Sequence, residues 1–483
     1  QAMCALHPAT LHRLPGTNVM CRQDISAEHV ALVCGGGSGH EPAHAGFVKP
    51  MCLTAAVCGD VFASPPTSAV TAAIEHIYRQ QVALTNSRTE ISPPPTLSSH
   101  GAATAAPGIL VIVKNYTGDV LNFGFAVRQA AAQGIPIRML VVGDDVAFGL
   151  PQDDQTTANE RRGIAGTVLM YQLLGAAAAS GWKLDALHEL GVKIHANLRS
   201  FGISLSGCNL PGSEKRQAMK EGEMELGLGI HGERGLSREP FRSASAAVAA
   251  AVERLLPSSD TATLSATSGS VLLLNNLGAT TDLEMHCTAL HTLEALEAAG
   301  VTVLRAAVGR WMTALDMHGI SWTLLLLRND AGAEDTVPQF QDTILSLLNT
   351  SGDSVIAFTQ PRSIGRQATT SQSHSQPVAE ACEAQGSAHA MVRHVFSQLL
   401  MQKEYFNELD ANVGDGDTGF GVARASEAVL SALPTLPIET DLRGSVLRLA
   451  RLIADSFAGT SGPLYGAFLV AAADALPVSL SHV

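Results

Sequence analysis

The chain has 483 residues, 46% of them apolar and 16% charged, and a net charge of −13. That length exceeds one ordinary core and predicts two to four domains of globular composition, neither disordered nor fibrous. The acidic balance argues against non-specific attraction to nucleic acid or an anionic membrane, and no apolar run approaches the ~18–20 residues of a spanning helix.

Eight cysteines are scattered without a CxxC pair. This reads as reduced thiols of an intracellular, cytoplasmic protein rather than as a disulfide framework or a zinc site. No basic-then-apolar signal opens the chain, and a start at Gln1 rather than Met leads us to expect a processed or incomplete product.

In chain order, "HVALVC" runs into "GGGSGHEP", "GILVIV" into "KNYTGD", and "IRMLVV" into "GDDVAFG". Later come "SVLLLNNLG" and "ISWTLLLLRND". Alanine-rich helical stretches such as "NFGFAVRQAAAQG" and "GTVLMYQLLGAAAASG" lie between them. Buried parallel strands alternating with helices predict an α/β region of two subdomains over residues 1–360, with a boundary near 170–200. Residues 84–107, rich in Ser, Thr, Pro and Ala, read as a flexible surface insertion, and 361–387 as a linker. From 388 the apolar spacing turns helical, with room for about four helices before Val483: a partial all-α domain.

The glycines 35, 36, 37 and 39 let backbone N–H groups approach a ligand, and His40 on that turn is either an acid/base or a hydrogen-bonded turn residue. Lys114 and Asp119 end the next strand and read either as a surface ion pair or as part of a proton-transfer and anion-handling cluster. In "EMELGLGIHGERG", His231 either caps a turn or is exposed by glycines for chemistry. "LDANVGDGDTG" spaces Asp410, Asp415 and Asp417 as D-x4-D-x-D, which reads either as an acidic solvated turn or as carboxylates that hold a hard cation such as Mg²⁺ with nucleotide phosphates. "AGTSGPLYG" opens a helix whose Thr460, Ser461 and Gly462 offer N–H and hydroxyl groups to a phosphate.

Taken with "AAVCGDVFASP", "RRGIAGTVL" and "NNLGA", these strings in this order resemble the dihydroxyacetone (glycerone) kinase family, in its single-chain ATP-dependent form. The resemblance spans roughly residues 20–475. It implies that His231 forms a hemiaminal with the carbonyl of a triose, and that His40 and Asp119 are the acid/base pair. Lys114 and the backbone near Gly37 and Ser38 would bind substrate oxygens. Asp410, Asp415 and Asp417 would hold Mg²⁺ between the phosphates of ATP, with Thr418, Gly459, Thr460, Ser461 and Gly462 at the nucleotide. A homodimer through the substrate domain is implied, with dihydroxyacetone, and also glyceraldehyde, as substrate.

The same nucleotide site serves an FAD-AMP lyase (cyclising) activity in some animal relatives, and a non-catalytic triose-binding role is a third reading. The family usually reads GGTSG where this chain has Ala458 before Gly459. The family's nucleotide domain has about eight helices, of which about half are expected here.

Overall fold

The computed structural model describes residues 2–89, 106–150, 161–212, 219–256, 269–328, 337–350, 355–362, 386–412, 418–457 and 461–476. Contacts divide the chain into two units, Gln1–Gly365 and Arg366–Val483.

In the first unit a short helix α1 (Ala2–Leu6) precedes β1 (Leu11–Arg13), β2 (Val19–Arg22), β3 (Ala31–Ser38) and β4 (Ala55–Val61). Then come α2 (Thr67–Thr89), β5 (Ile109–Lys114), α3 (Thr117–Ala132) and β6 (Ile137–Val142). The six strands pair in the order β1-β2-β4-β3-β5-β6. β4-β3, β3-β5 and β5-β6 are parallel, while β1 and β2 form an antiparallel edge.

The unbroken apolar runs follow from burial on both faces. Ala31, Val33, Val111 and Val113 pack on α2 and α3, whereas Leu32, Cys34, Leu110 and Ile112 pack on the opposite side. That opposite side is covered by α4 (Gly166–Ala179), followed by α5 (Leu184–Ala196). All but the last residue of α4 are buried. Its small residues permit this: a Cβ on Gly175 would stand 2.4 Å from the Met51 carbonyl oxygen. Residues 84–89, expected within an insertion, instead continue α2, because the chain up to Thr89 still carries helix-compatible residues and no Pro or Gly. Residues 90–105 lie outside the described residues.

The second sheet contains β7 (Leu198–Ser204), β8 (Glu223–Leu226) and β9 (Ser237–Pro240), then α6 (Ala244–Leu255) and β10 (Gly269–Asn276). It closes with α7 (Asp282–Ala298), β11 (Thr302–Gly309), β12 (Gly319–Leu327) and, beyond the sheet, α8 (Val337–Thr350). The order is β11-β10-β12-β7-β8-β9. Only β10-β11 is parallel, so the expectation of parallel strands fails here. The segment 310–318 is too short for a crossover helix, and β12 therefore returns antiparallel beside β10. Side chains of both sheets meet around α4 in one core cluster that includes Leu110, Leu169, Leu273 and Leu325.

Most of the expected linker, 363–385, lies outside the described residues. The second unit is helical, with α9 (Ser387–Met401), α10 (Lys403–Ala411), α11 (Thr418–Ala432), α12 (Leu442–Ser456) and α13 (Ser461–Asp474). That is five α-helices among the described residues where about four were expected; the break at Gln402 splits one run into α9 and α10. Val429, Leu433, Leu449, Ile453 and Phe457 form its core. Leu464, Tyr465 and Phe468 of α13 are exposed.

Candidate active site

The glycine-rich end of β3, where its register against β4 shifts between Gly36 and Ser38, carries the first group of side chains. Gly36 has φ +149°, and a Cβ there would stand 2.6 Å from Lys114 Nζ, 3.0 Å from His44 Nε2 and 3.3 Å from Asp119 Oδ2. The absent side chain is what lets those three groups meet under the strand end. Lys114, at the end of β5, and Asp119, in the first turn of α3, are both buried. Their charges are 3.7 Å apart, so the surface ion pair is excluded.

Lysine can only donate, which fixes the direction of the neighbouring bonds. Lys114 Nζ donates to His44 Nε2 at 3.1 Å. His44 Nδ1–H then donates to the Tyr171 hydroxyl at 2.7 Å, and that hydroxyl donates to Cys34 Sγ at 2.7 Å. Burial, followed by the Lys114 charge, holds the His44 ring well below its usual pKa. His44 therefore accepts from Lys114 as a neutral ring.

His40 is fully buried, with Nδ1 at 2.7 Å from the Thr313 carbonyl oxygen, to which it donates. Its Nε2 is buried with no hydrogen-bond partner among the described residues, as are Asp119 Oδ1 and the Tyr116 hydroxyl oxygen. Burial first, then Lys114, lowers the His40 pKa well below the usual value, so Nε2 keeps its lone pair near neutrality. Buried polar atoms without a partner, such as His40 Nε2 and Asp119 Oδ1, are what a polar ligand would satisfy.

His231 arrives from β8 through Gly227, whose φ is +70°. Its Nδ1 donates to Glu233 Oε1 at 2.8 Å and its backbone N–H to Glu233 Oε2 at 2.9 Å. Burial works against the Glu233 charge, yet the bond to His231 holds this carboxyl down at about 2. The imidazole stands edge-on to His40, Phe62 and Tyr116, with ring centroids 4.8, 5.1 and 4.6 Å away. Gly229 makes room for the carboxylate, since a Cβ there would lie 2.0 Å from Glu233 Oε2. Arg162 of "RRGIAG" ties the loop down, donating to the Gly227 carbonyl at 2.7 Å and to Asp145 at 2.8 Å.

His231, His40, Lys114 and Asp119 therefore converge. Gly37 lies tight against Phe62 and Ala63, while the Ser38 hydroxyl donates to the Gly59 carbonyl at 2.7 Å and its backbone carbonyl accepts from the Phe62 N–H at 2.9 Å. Sequence reasoning missed Glu233, His44, Tyr116, Tyr171 and Phe62. Glu233 sat two residues from His231, but its role becomes visible only in the folded loop.

In the second unit, Asp410 lies in the last turn of α10 and its Oδ2 accepts from the Thr418 N–H at 3.3 Å, which brings the two helix ends together. Asp415, Asp417, Gly459 and Thr460 lie outside the described residues. Ser461 opens α13, and Gly462 packs against the Phe457 carbonyl.

The chain matches the Dak1 domain over residues 1–86 and 91–344 and the DAK2 domain over 412–481. It belongs to the dihydroxyacetone kinase family. It is 36% identical to the triokinase/FMN cyclase of Bos taurus, over 98% of this chain and 76% of that protein. It is 34% identical to the dihydroxyacetone kinase of Citrobacter freundii, over 97% of this chain and 76% of that protein. Among solved structures, the native C. freundii kinase aligns with a TM-score of 0.59 at 31% identity, covering 98% of this chain and 80% of that one. The same kinase with AMP-PNP and Mg²⁺ aligns at 0.58 and 31% identity, covering 98% and 82%. Among the described residues of this family member, no helix is long and apolar enough to cross a membrane.

Proposed function

We propose that the chain phosphorylates dihydroxyacetone, with glyceraldehyde as a second acceptor, through a covalent hemiaminal on His231. It acts as an ATP-dependent kinase with ATP and Mg²⁺ as its cofactors. The observation that carries the reading is the Glu233 carboxylate on His231 Nδ1. With the proton held there, the lone pair stays on Nε2, the nucleophilic nitrogen.

The Nε2–carbon bond forms as the carbonyl π pair moves to oxygen, which takes a proton from solvent. The positive charge left on the ring is balanced by Glu233. A polyol such as glycerol has no carbonyl to trap and is excluded. Lys114 binds a substrate oxygen, while His40 Nε2 and Asp119 Oδ1 are the acceptors placed to take the proton of the hydroxyl to be phosphorylated.

The substrate function is assigned to residues 1–360 and the nucleotide function to 388–483. The Asp410 carboxylate at paired helix ends is a hard-oxygen donor that fits Mg²⁺. Asp415 and Asp417 would complete the ligands, with Thr418, Gly459, Thr460, Ser461 and Gly462 at the phosphates. Bound Mg²⁺ neutralises phosphate charge during transfer.

A coupled ADP assay with Mg²⁺-ATP tests the reading. Turnover with dihydroxyacetone, none with glycerol, and loss of turnover in His231→Ala support it; equal use of glycerol contradicts the covalent step. The relatives named triokinase/FMN cyclase favour a second reading, cyclic FMN formation from FAD at the nucleotide site, which release of cyclic FMN with Mn²⁺ would establish. A homodimer through the first unit is supported by the exposed Leu121 and Phe125 on α3, and light scattering would test it.

A further inference from the structure

The edge hairpin of the first sheet holds three side chains to which triose chemistry gives no task. His12 on β1 and Cys21 on β2 are direct partners in the antiparallel register. His76 comes from α2, the helix that packs over this face of the sheet around Cys21. His12 Nε2 and His76 Nε2 are 3.3 Å apart, with the rings edge-on at 5.3 Å. One donor atom from each of the three residues lies within 4.8 Å of the other two. Cys21 is fully buried, and both imidazoles are half-buried.

We propose that His12, Cys21 and His76 form a binding site for a divalent transition-metal ion of the zinc class. Two imidazoles and a thiolate are the borderline-soft donor set that suits this class and not Mg²⁺ or Ca²⁺. On a tetrahedral zinc with Zn–N of about 2.0–2.1 Å, two imidazole nitrogens stand roughly 3.3 Å apart. That is the spacing of the two Nε2 atoms. His12 Nδ1 is buried without a partner, so neither nitrogen of this ring is committed to holding the hairpin.

Burial lowers the pKa of both imidazoles, and their lone pairs are available without loss of a proton. The thiol, pushed up to about 12 by burial and then by Cys4, gives its proton to solvent as the sulfur–metal bond forms. No electron changes hands, and solvent takes the fourth position. The ion would fasten the β1-β2 edge to α2. The scattered cysteines concealed the site, because its ligands are 9 and 55 residues apart along the chain and meet only through strand register and helix packing.

The test uses the full chain, reduced, stripped with a chelator, and then titrated with Zn²⁺ against a chromogenic competitor in excess Mg²⁺; Co²⁺ serves as the spectroscopic probe. A single zinc per chain is expected, together with a thiolate-to-cobalt charge-transfer band that Cys21→Ser abolishes. His76→Gln should weaken zinc affinity at least ~10–100-fold and remove the zinc-induced rise in Tm, while its circular dichroism and triose turnover match wild type. No zinc bound by wild type, a cobalt spectrum without the thiolate band, or full zinc affinity in a folded His76→Gln would each overturn the site.

Discussion

At the scale of single residues, the reacting groups are set by what their other atoms are bound to. His40 gives Nδ1 to a backbone carbonyl and is left with a buried lone pair on Nε2. His40→Asn should therefore lower kcat for dihydroxyacetone roughly 10²–10⁴-fold, with the KM for ATP little changed, as read in the coupled assay. Glu233 has a folded pKa of about 2 against an ordinary value of 4.5. A depressed carboxyl stabilises the fold fully above its unfolded pKa, and the contribution fades as pH falls through the folded value. Wild type should exceed Glu233→Gln in stability most at pH 5 and above, and the gap should close towards pH 2 in denaturant titrations.

These residues were unequally legible in the sequence. His40 and His231 each stand beside a glycine, a setting that left a turn residue and a reactive group both open until the family resemblance favoured the second. Tyr171 is 127 residues from His44, inside a helix whose sequence reads as plain apolar filling, so only the fold reveals their bond. Phe62, in a left-handed backbone conformation with φ +57°, gives no sequence signal for the ring it stacks on His40.

At the scale of elements, strand existence was legible and strand direction was not. A run buried on both faces has the same composition whichever way it points, as β3 and β12 show. What separates them is connection length, and the short 310–318 segment decides the matter for β12. The glycine-rich end of β3 is where an element meets chemistry. Gly36→Ala would place a methyl 2.6 Å from Lys114 Nζ at a backbone angle that L residues rarely adopt. Because Lys114 is fully buried, it can yield only by leaving His44 and Asp119. The expected result is a loss of roughly 100-fold in kcat/KM for dihydroxyacetone with ATP affinity retained. Isothermal titration beside the coupled assay separates the two.

At the scale of the whole molecule, the chain is two units of different size. The first unit joins two sheets around α4, whereas the second rests on a small helical core and exposes Leu464, Tyr465 and Phe468. Calorimetry should show the helical unit unfolding first. Mg²⁺-ATP at about 100 times its Kd should stabilise that transition by ~2.7 kcal/mol, and dihydroxyacetone should act on the other.

The proposed bond between His231 and the substrate is the step on which the assignment turns. The measurement is ¹³C NMR of carbonyl-labelled dihydroxyacetone on the full chain beside His231→Ala. A ketone carbon that becomes a saturated, nitrogen-bonded carbon only when His231 is present is the predicted result. A bound ketone that keeps its carbonyl signal while wild type turns over would contradict it.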